Sequence, residues 1–542
     1  MIHRYTVIFL GFISGFFYKT HAQIDLLESS PLPIILINTG GQAIVDAPRI
    51  VANMYVIHNG PNQLNHIEDF PNEYAGKISI EIRGSSSQSF PKKSYGLETQ
   101  TDSGENRNVS ILGMPRENDW ILHGPFSDKS LIRNALTFRI ANRFTTYAPR
   151  TELCELVIDS IYQGVYVFME KIKRDDDRVD IGRLDLDDNQ GDSVTGGYIV
   201  KLDKSTGNGG DGWSGYFDDY FQYEYPDADE ITLAQRNYIR NYITRFEEVL
   251  AGRNFLDPDS GYRRFIDVNS FLDFIIMNEL GRNVDGYRLS TFLHKERDSR
   301  GGKIRMGPIW DFNLAFGNAN YCTGPETAGW VLNFNTYCPQ DGWTINRWWD
   351  RLLSDKWFTD QLIQRWKDLR EKTLSNDSLL WEFDRLTENL DGPQTRNFQK
   401  WRILGEYVWP NAFIGSTHTE ELEYLRFWLL DRVAWMDANI HTISSEVKGP
   451  YSFQKFEVYP NPFQDEMTIN FLLSREGEIE FMVRNLQGQI VGYEVLIAQP
   501  GFESRLVWKG KRPDGKPLAA GIYIYSFVRN GEVLATGKIS RY

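Results

Sequence analysis

At 542 residues, 41% of them hydrophobic and 14% aromatic, the chain is too long for one ordinary core and too apolar to be disordered, so at least two folded domains are expected. Its formal charge of −14 argues against a nucleic-acid backbone as the main partner, since that binding depends on clustered Lys and Arg; one local basic pocket can still take a polyanion. The stretch MIHRYTVIFLGFISGFFYKTHAQ carries an arginine, an apolar run from Val7 to Phe17 and a small-residue site at Thr20-His21-Ala22, the pattern of a secretory signal over residues 1–22. No later segment has the roughly 18 uninterrupted apolar residues of a membrane-crossing helix. An exported, soluble mature protein is therefore expected.

From Leu32 to Tyr198 strand patterns dominate. KISIEIRG and KKSYGLET alternate apolar and polar residues, and ELVIDSIYQGVYVFMEK reads as a hairpin turning at Gln163-Gly164. Between them DKSLIRNALTFRIANRF places Leu131, Ile132, Leu136 and Ile140 at helical spacing. From Thr232 the period changes: a Thr232–Gln235 capping box opens a helix that stops at Gly252, a second helix ends at Gly281, and two more run near Trp348–Lys372 and Glu420–Ile440. The fold class is α+β, a strand-rich lobe followed by a helical one. Around Lys448-Gly449-Pro450 the character shifts again to short strands with turns at Gln487-Gly488 and Asn530-Gly531, a small antiparallel β-sandwich.

Three cysteines are too few for a zinc site. Cys322 and Cys338 flank a loop that a disulfide would stabilise by about 3 kcal/mol in an oxidising compartment; paired and free thiols both remain open, with Cys154 a buried thiol on TELCELVID.

Three stretches could carry chemistry. In EIRGSSSQSFPKKSYGLE, Arg83 ends a strand, Gly84–Ser89 exposes backbone N–H groups, and Lys92 and Lys93 start the next strand, a set that can cradle phosphates or be an ordinary polar hairpin. Glu170 closes an apolar strand, where an inward carboxylate needs a cation, and Lys92 or Lys93 is the expected partner. In NELGRNVDGYRLSTFLHKERDSRGGKIRMGPIWDFNLAFGN, Asp285 follows a helix and Asp311 closes the second strand of a hairpin, so two acids can share a pocket, one near a hydroxyl and one on Mg²⁺. Each Asp alone is more often a turn former.

RGSSSQSFPKKSYGLE, NDWILHGPFSDKSLIRN, GVYVFMEKIK, TGGYIVKLDK, NVDGYRLST and GPIWDFNLAFGN together resemble the CotH kinase family, secreted atypical protein kinases related to spore-coat protein H. The resemblance implies a kinase-like two-lobed domain over residues 30–445, ATP with Mg²⁺ or Mn²⁺, and phosphorylation of Ser or Thr on secreted or surface proteins. Matched by motif, Arg83 and Lys92 or Lys93 would face the nucleotide, Glu170 would partner the lysine, Asp285 would orient or deprotonate the hydroxyl, and Asp311 would bind metal. Ser290 and Asn313 stand where further metal ligands are expected; both are uncharged, which keeps open a catalytically inactive surface or adhesion protein on the same fold. A glycoside hydrolase, with acids across a Trp-lined cleft free of lysine, ranks third. Asp119, Asp128, Arg133 and Asn134 fit a buried network as well as a substrate site. The tail, VYPNPFQDEMTINF through GIYIYSFVRNGEVLATGKISRY, resembles the C-terminal sorting domain of the type IX secretion system of Bacteroidetes over 453–542, implying that machinery as a partner and export across the outer membrane.

Overall fold

The computed structural model describes residues 27–61, 63–205, 211–252, 254–446, 453–473, 477–498, 503–512, 514–529 and 532–542. The signal segment, the Lys448-Gly449-Pro450 junction and the Asn530-Gly531 turn lie outside these residues. Seven strands close into a barrel in the order Ile34–Asn38, Ile50–Ile57, Tyr74–Arg83, Ser94–Gln100, Asp119–His123, Ile161–Glu170 and Thr151–Ile158, the last pairing in parallel with the first. Alternation fills its interior: Ile35 and Ile37, Met54 and Val56, Ile78 and Ile80 all point inward with Trp120, Leu122, Tyr166 and Phe168. The predicted hairpin is present, but its turn is Asp159-Ser160, both with positive φ (46° and 65°). That pair supplies the left-handed turn a two-residue hairpin needs. Gly164 instead sits inside the strand at φ 108°, where a Cβ would stand 2.5 Å from Asn397 Oδ1.

A second sheet of five strands runs Gly212–Ser214, Tyr220–Tyr225, Tyr198–Leu202, Thr291–Lys295 and Ile304–Met306. The predicted Thr232 capping box is formed, with Thr232 Oγ1 accepting from the Gln235 amide at 3.3 Å, and its helix runs Leu233–Ala251. The Val268–Gly281 helix begins where the Asp267 carboxylate accepts from the Ser270 amide. The expected single helix over Trp348–Lys372 is two, Trp348–Leu353 and Lys356–Arg370, because Asp355 caps a new start by accepting from the Trp357 amide. Trp330, Trp348, Trp349 and Trp366 are at most 1% exposed, so these rings are core and not a sugar platform. Among the described residues no helix is long and apolar enough to cross a membrane. In the tail, a three-stranded and a four-stranded antiparallel sheet share one core, in which Phe471 meets Phe527 and Phe481 meets Trp508.

The segment from Gly307 to Asn320 threads between these parts and is clamped. Asn134 Oδ1 accepts from the Phe312 amide at 2.8 Å, Gly281 O from the Phe316 amide at 2.7 Å, and Tyr424 Oη donates to Gly317 O at 2.9 Å. At Gly317 (φ 74°) an added Cβ would lie 2.5 Å from Trp428 Cδ1 and 2.6 Å from Tyr424 Oη. Gly317→Ala is therefore expected to cost about 2 kcal/mol or more, read as a lower urea midpoint at unchanged slope; a midpoint equal to wild type would show that the helix His418–Asn439 yields without cost.

Candidate active site

A cleft of about 850 Å³ opens between the barrel strands that end at Arg83, start at Ser94 and contain Asp119, and the second sheet's strands around Lys201, Glu224 and Phe292. Nine carboxylates and five Lys or Arg side chains line it, so the cleft is acidic and takes a polyanion only where the cations concentrate.

Three carboxylates meet at its base. Burial lifts the Asp311 carboxyl to about 7, and Asp285 and Asp203 push the same way, while Arg83 and Lys204 oppose. Burial also raises Asp285, against the pull of Arg288 and Lys204, and raises Asp203, against the Lys204 and Ser290 amides and Lys201. Asp311 has φ 58°, a left-handed conformation that costs a non-glycine residue about 1 kcal/mol or more and persists only where its surroundings impose it. The expected strand up to Asp311 stops at Met306, so Asp311 lies in an irregular turn whose direction is set by Asn134. Asn134 also meets His123 at 3.3 Å, and burial lowers that imidazole to about 4, so it stays neutral. Beside it, the Asp128–Arg133 pair at 2.6 Å is almost wholly buried, and Arg133 reaches Phe316 O at 3.4 Å. The NDWILHGPFSDKSLIRN stretch is thus a buried clamp for the Asp311 turn.

The cleft contains Arg83, Asp285, Ser290, Asp311 and Asn313 together. Arg83 stacks 5.6 Å above the Trp310 ring, and burial lowers its proton affinity while Asp311, Glu224 and Glu81 hold it up. Gly84 to Ser87 form a turn on the wall. Asp285 accepts from Arg288 at 2.9 Å, and the Ser290 amide serves Asp203.

Three expected residues lie elsewhere. Lys92 is 2% exposed and donates to Val165 O at 2.6 Å and Asn397 Oδ1 at 2.8 Å, with its ammonium over Tyr166. Burial depresses it to about 7. Lys93 donates to Gln88 O at 2.6 Å. Glu170 is fully buried with Arg150 at 2.8 Å, Tyr147 at 3.0 Å and Arg178 at 3.7 Å. The expected Lys92/Lys93–Glu170 ion pair is therefore absent: the arginines already neutralise Glu170, and the Lys92 ammonium is spent on backbone and amide oxygens. A close lysine–acid pair that does line the cleft is Lys201–Glu224, at 2.7 Å. Asp203, Lys201 and Lys204 carried no assigned role in the sequence reading. The signal was in TGGYIVKLDK, where Lys201 and Asp203 hold alternate positions and so share one face of an apolar strand.

Among the described residues no group of three His, Cys, Asp or Glu side chains could hold a metal by itself. A hard cation bound through one or two carboxylates, with phosphate and water completing its shell, needs no such group. The donor set fits: Asp311 is an oxygen ligand under negative field, with no hydrogen bond to its carboxylate among the described residues.

A family model described as CotH kinase protein matches residues 80–436, and one described as secretion system C-terminal sorting domain matches residues 457–539. No curated protein matches the chain. Among solved structures, the dimeric latent PorU from Porphyromonas gingivalis is 14% identical over 17% of this chain and 10% of its own, at TM-score 0.16. The β-glucosidase 3B from Thermotoga neapolitana in complex with glucose is 12% identical over 17% and 16%, at TM-score 0.13. Pseudomonas fluorescens alkylpurine DNA glycosylase AlkC, bound to DNA containing an abasic site analog, is 11% identical over 39% and 64%, at TM-score 0.14. The chain spans less than two thirds of each, and likenesses this weak carry no argument.

Two outcomes are expected. Lys92→Met removes the donor to Val165 O and leaves Asn397 Oδ1 with the Val165 amide alone, and costs about 2 kcal/mol in urea unfolding, while affinity for a nucleotide stays within about twofold of wild type; a large affinity loss without a stability loss would return Lys92 to the ligand. Asp311 binds its proton more tightly folded than unfolded, so the stability it contributes is full at pH below about 4 and is lost as pH rises through about 7. In metal-free buffer Asp311→Asn should then be more stable than wild type at pH 8, by about 2 kcal/mol, with the gain gone at pH 4; a difference independent of pH would count against a strained carboxylate.

Proposed function

The chain belongs to the CotH kinase protein family through residues 80–436 and carries a secretion-system C-terminal sorting domain at 457–539, and on that premise we propose that it is a secreted atypical protein kinase that moves phosphate from ATP to Ser or Thr of exported or surface proteins. The sorting domain indicates handling by type IX secretion and export to the cell surface or beyond. The observation that carries the proposal is the convergence of Asp203, Asp285 and Asp311 with Arg83 and Lys204 at the base of one cleft. Two sheet systems on either side of that cleft stand in for the two lobes of a kinase.

Asp311 and Asp203, with Asn313 and Ser290 as uncharged oxygen donors, would hold Mg²⁺ or Mn²⁺. That cation would neutralise charge on the phosphates and complete its shell from them. Arg83, Lys204 and the Gly84–Ser87 turn face the phosphate oxygens, and Lys201, oriented by Glu224, takes the part first expected of Lys92. Asp285 takes the proton from the acceptor hydroxyl as that oxygen bonds to the terminal phosphorus and the bond to ADP breaks. Burial raises its proton affinity, the direction a general base needs. Lysines standing among the acids disfavour the glycoside hydrolase reading, which needs two carboxylates across an open sugar site.

The test is calorimetric titration of ATP into the protein with and without Mg²⁺ or Mn²⁺, followed by transfer from labelled ATP. Wild type is expected to bind only with metal, Asp311→Ala to lose about a hundredfold in affinity, and Asp285→Ala to bind normally but transfer no phosphate. Absence of nucleotide binding under either metal would sink the kinase reading and leave a surface protein on this fold.

A further inference from the structure

Asp285 sits on a loop that has turn hydrogen bonds of its own, from the Gly286 amide to Asn283 O and from the Leu289 amide to Asp285 O, yet carries unfavourable backbone conformations. Within nine residues Arg282, Tyr287 and Ser290 adopt φ of 44°, 69° and 47°. Each such residue costs about 1 kcal/mol or more unless contacts from outside impose it.

Tyr287 is held by the preceding helix, its hydroxyl donating to Ile275 O at 3.3 Å, while the two arginines that flank Asp285 are held by a different part of the chain. Arg282, three residues before Asp285, donates from Nε to Thr323 O at 3.0 Å, from Nη2 to Thr323 Oγ1 at 2.7 Å and from Nη1 to Gly329 O at 2.6 Å. Arg288, three residues after it, pairs with Asp285 at 2.9 Å and reaches Asp341 at 3.4 Å and Trp343 O at 3.2 Å, with its guanidinium 4.0 Å above the Phe334 ring. Thr323 immediately follows Cys322, and Asp341 and Trp343 lie just past Cys338; these two cysteines form a disulfide with Cα atoms 5.6 Å apart. Of the two arginines that bracket Asp285, Arg288 is thus pinned just past one end of the disulfide-closed loop, and Arg282 at its other end through Thr323, with one further bond to Gly329 in the middle. The middle of that loop has separate anchors: Glu279 accepts from the Val331 and Leu332 amides at 2.8 and 3.1 Å, and Arg432 donates to Thr327 O and Gly329 O. Reduction therefore releases the ends and leaves the middle held.

We infer that Arg282 and Arg288 are positioning residues for Asp285, and that the Cys322–Cys338 disulfide fixes them, so the acceptor side of the cleft is complete only in the oxidised chain. Forming the bond by exchange with an external disulfide converts two protein thiols into the cystine while that oxidant leaves as two thiols. A protein made in a reducing compartment would then carry an incomplete site until it reaches an oxidising one. The inference rests on the proposed role of Asp285 at the acceptor hydroxyl.

The experiment compares amide hydrogen exchange of the full chain, oxidised and after reduction with dithiothreitol, beside ATP affinity and phosphate transfer in the same samples. Exchange is expected to accelerate about tenfold or more at 283–289 and 338–343 and to stay unchanged at 329–332 and in the barrel strands. Transfer should fall about tenfold or more while ATP affinity changes less than about twofold. Arg288→Met should reproduce the transfer loss without reduction, and Arg288→Lys should restore part of it. Equal exchange at 283–289 in both forms overturns the inference, as does acceleration spread through the barrel, which would make the disulfide a support of the whole domain. If the oxidised protein binds no ATP, the kinase reading fails, and the exchange comparison still decides whether the disulfide holds this loop.

Discussion

Negative charge at the base of the cleft is the constraint around which the main domain is arranged. Asp203, Asp285 and Asp311 come from a strand end, a post-helical loop and an irregular turn, and burial makes each of them hold its proton more tightly. Arg83 and Lys204 offset this only in part. Such a cluster lowers the stability of the empty protein, and it persists because rigid neighbours leave the chain no relaxed alternative. The rigid neighbours are specific: Asn134 and Gly281 hold the backbone just after Asp311, at Phe312 and Phe316, and the buried Asp128–Arg133 pair reaches Phe316 as well.

The architecture follows from that need. A closed barrel presents Arg83, Asp119 and His123 from fixed strands with no free edge to slip. The second sheet presents Lys201, Asp203 and Glu224 opposite them. Helices supply the remaining restraint, and the Glu279–Arg432 pair, at 3.1 Å and almost without exposure, ties the helix that leads into the Asp285 loop to the long His418–Asn439 helix. The Cys322–Cys338 loop lies against both, which places a covalent constraint beside a segment in which Arg282, Tyr287 and Ser290 are left-handed.

Much of this was legible in order along the chain. The Thr232 capping box, the helix ending at Gly281, the Asp285 loop after it and the two-sheet tail are all written in local pattern. The missed features share one cause. Lys92 and Glu170 looked functional because a charged residue at the edge of an apolar strand must have a partner, and sequence gives no means of ranking Arg150 or Arg178 above the lysines for Glu170, or Asn397 above Glu170 for Lys92. The hairpin turn was assigned to Gly164 because glycine usually marks a turn, whereas this glycine makes room for the side chains of Asn397 and Trp401 on a distant helix. Splitting of the Trp348–Lys372 helix was signalled by Ser354-Asp355, a capping pair inside an otherwise continuous apolar period.

By itself the sequence determined the class of fold, the membership of its two segments in their families, and the residue types available for chemistry, because periodicity, caps and motif order are local properties of the chain. The tertiary structure decided which of those residues share a cleft. Strand order around a closed barrel, the side of each strand that faces the second sheet and the partner each buried charge finds are set by contacts between residues tens to hundreds of positions apart. That is why Asp203 and Lys201 enter the site while Lys92 becomes part of the core.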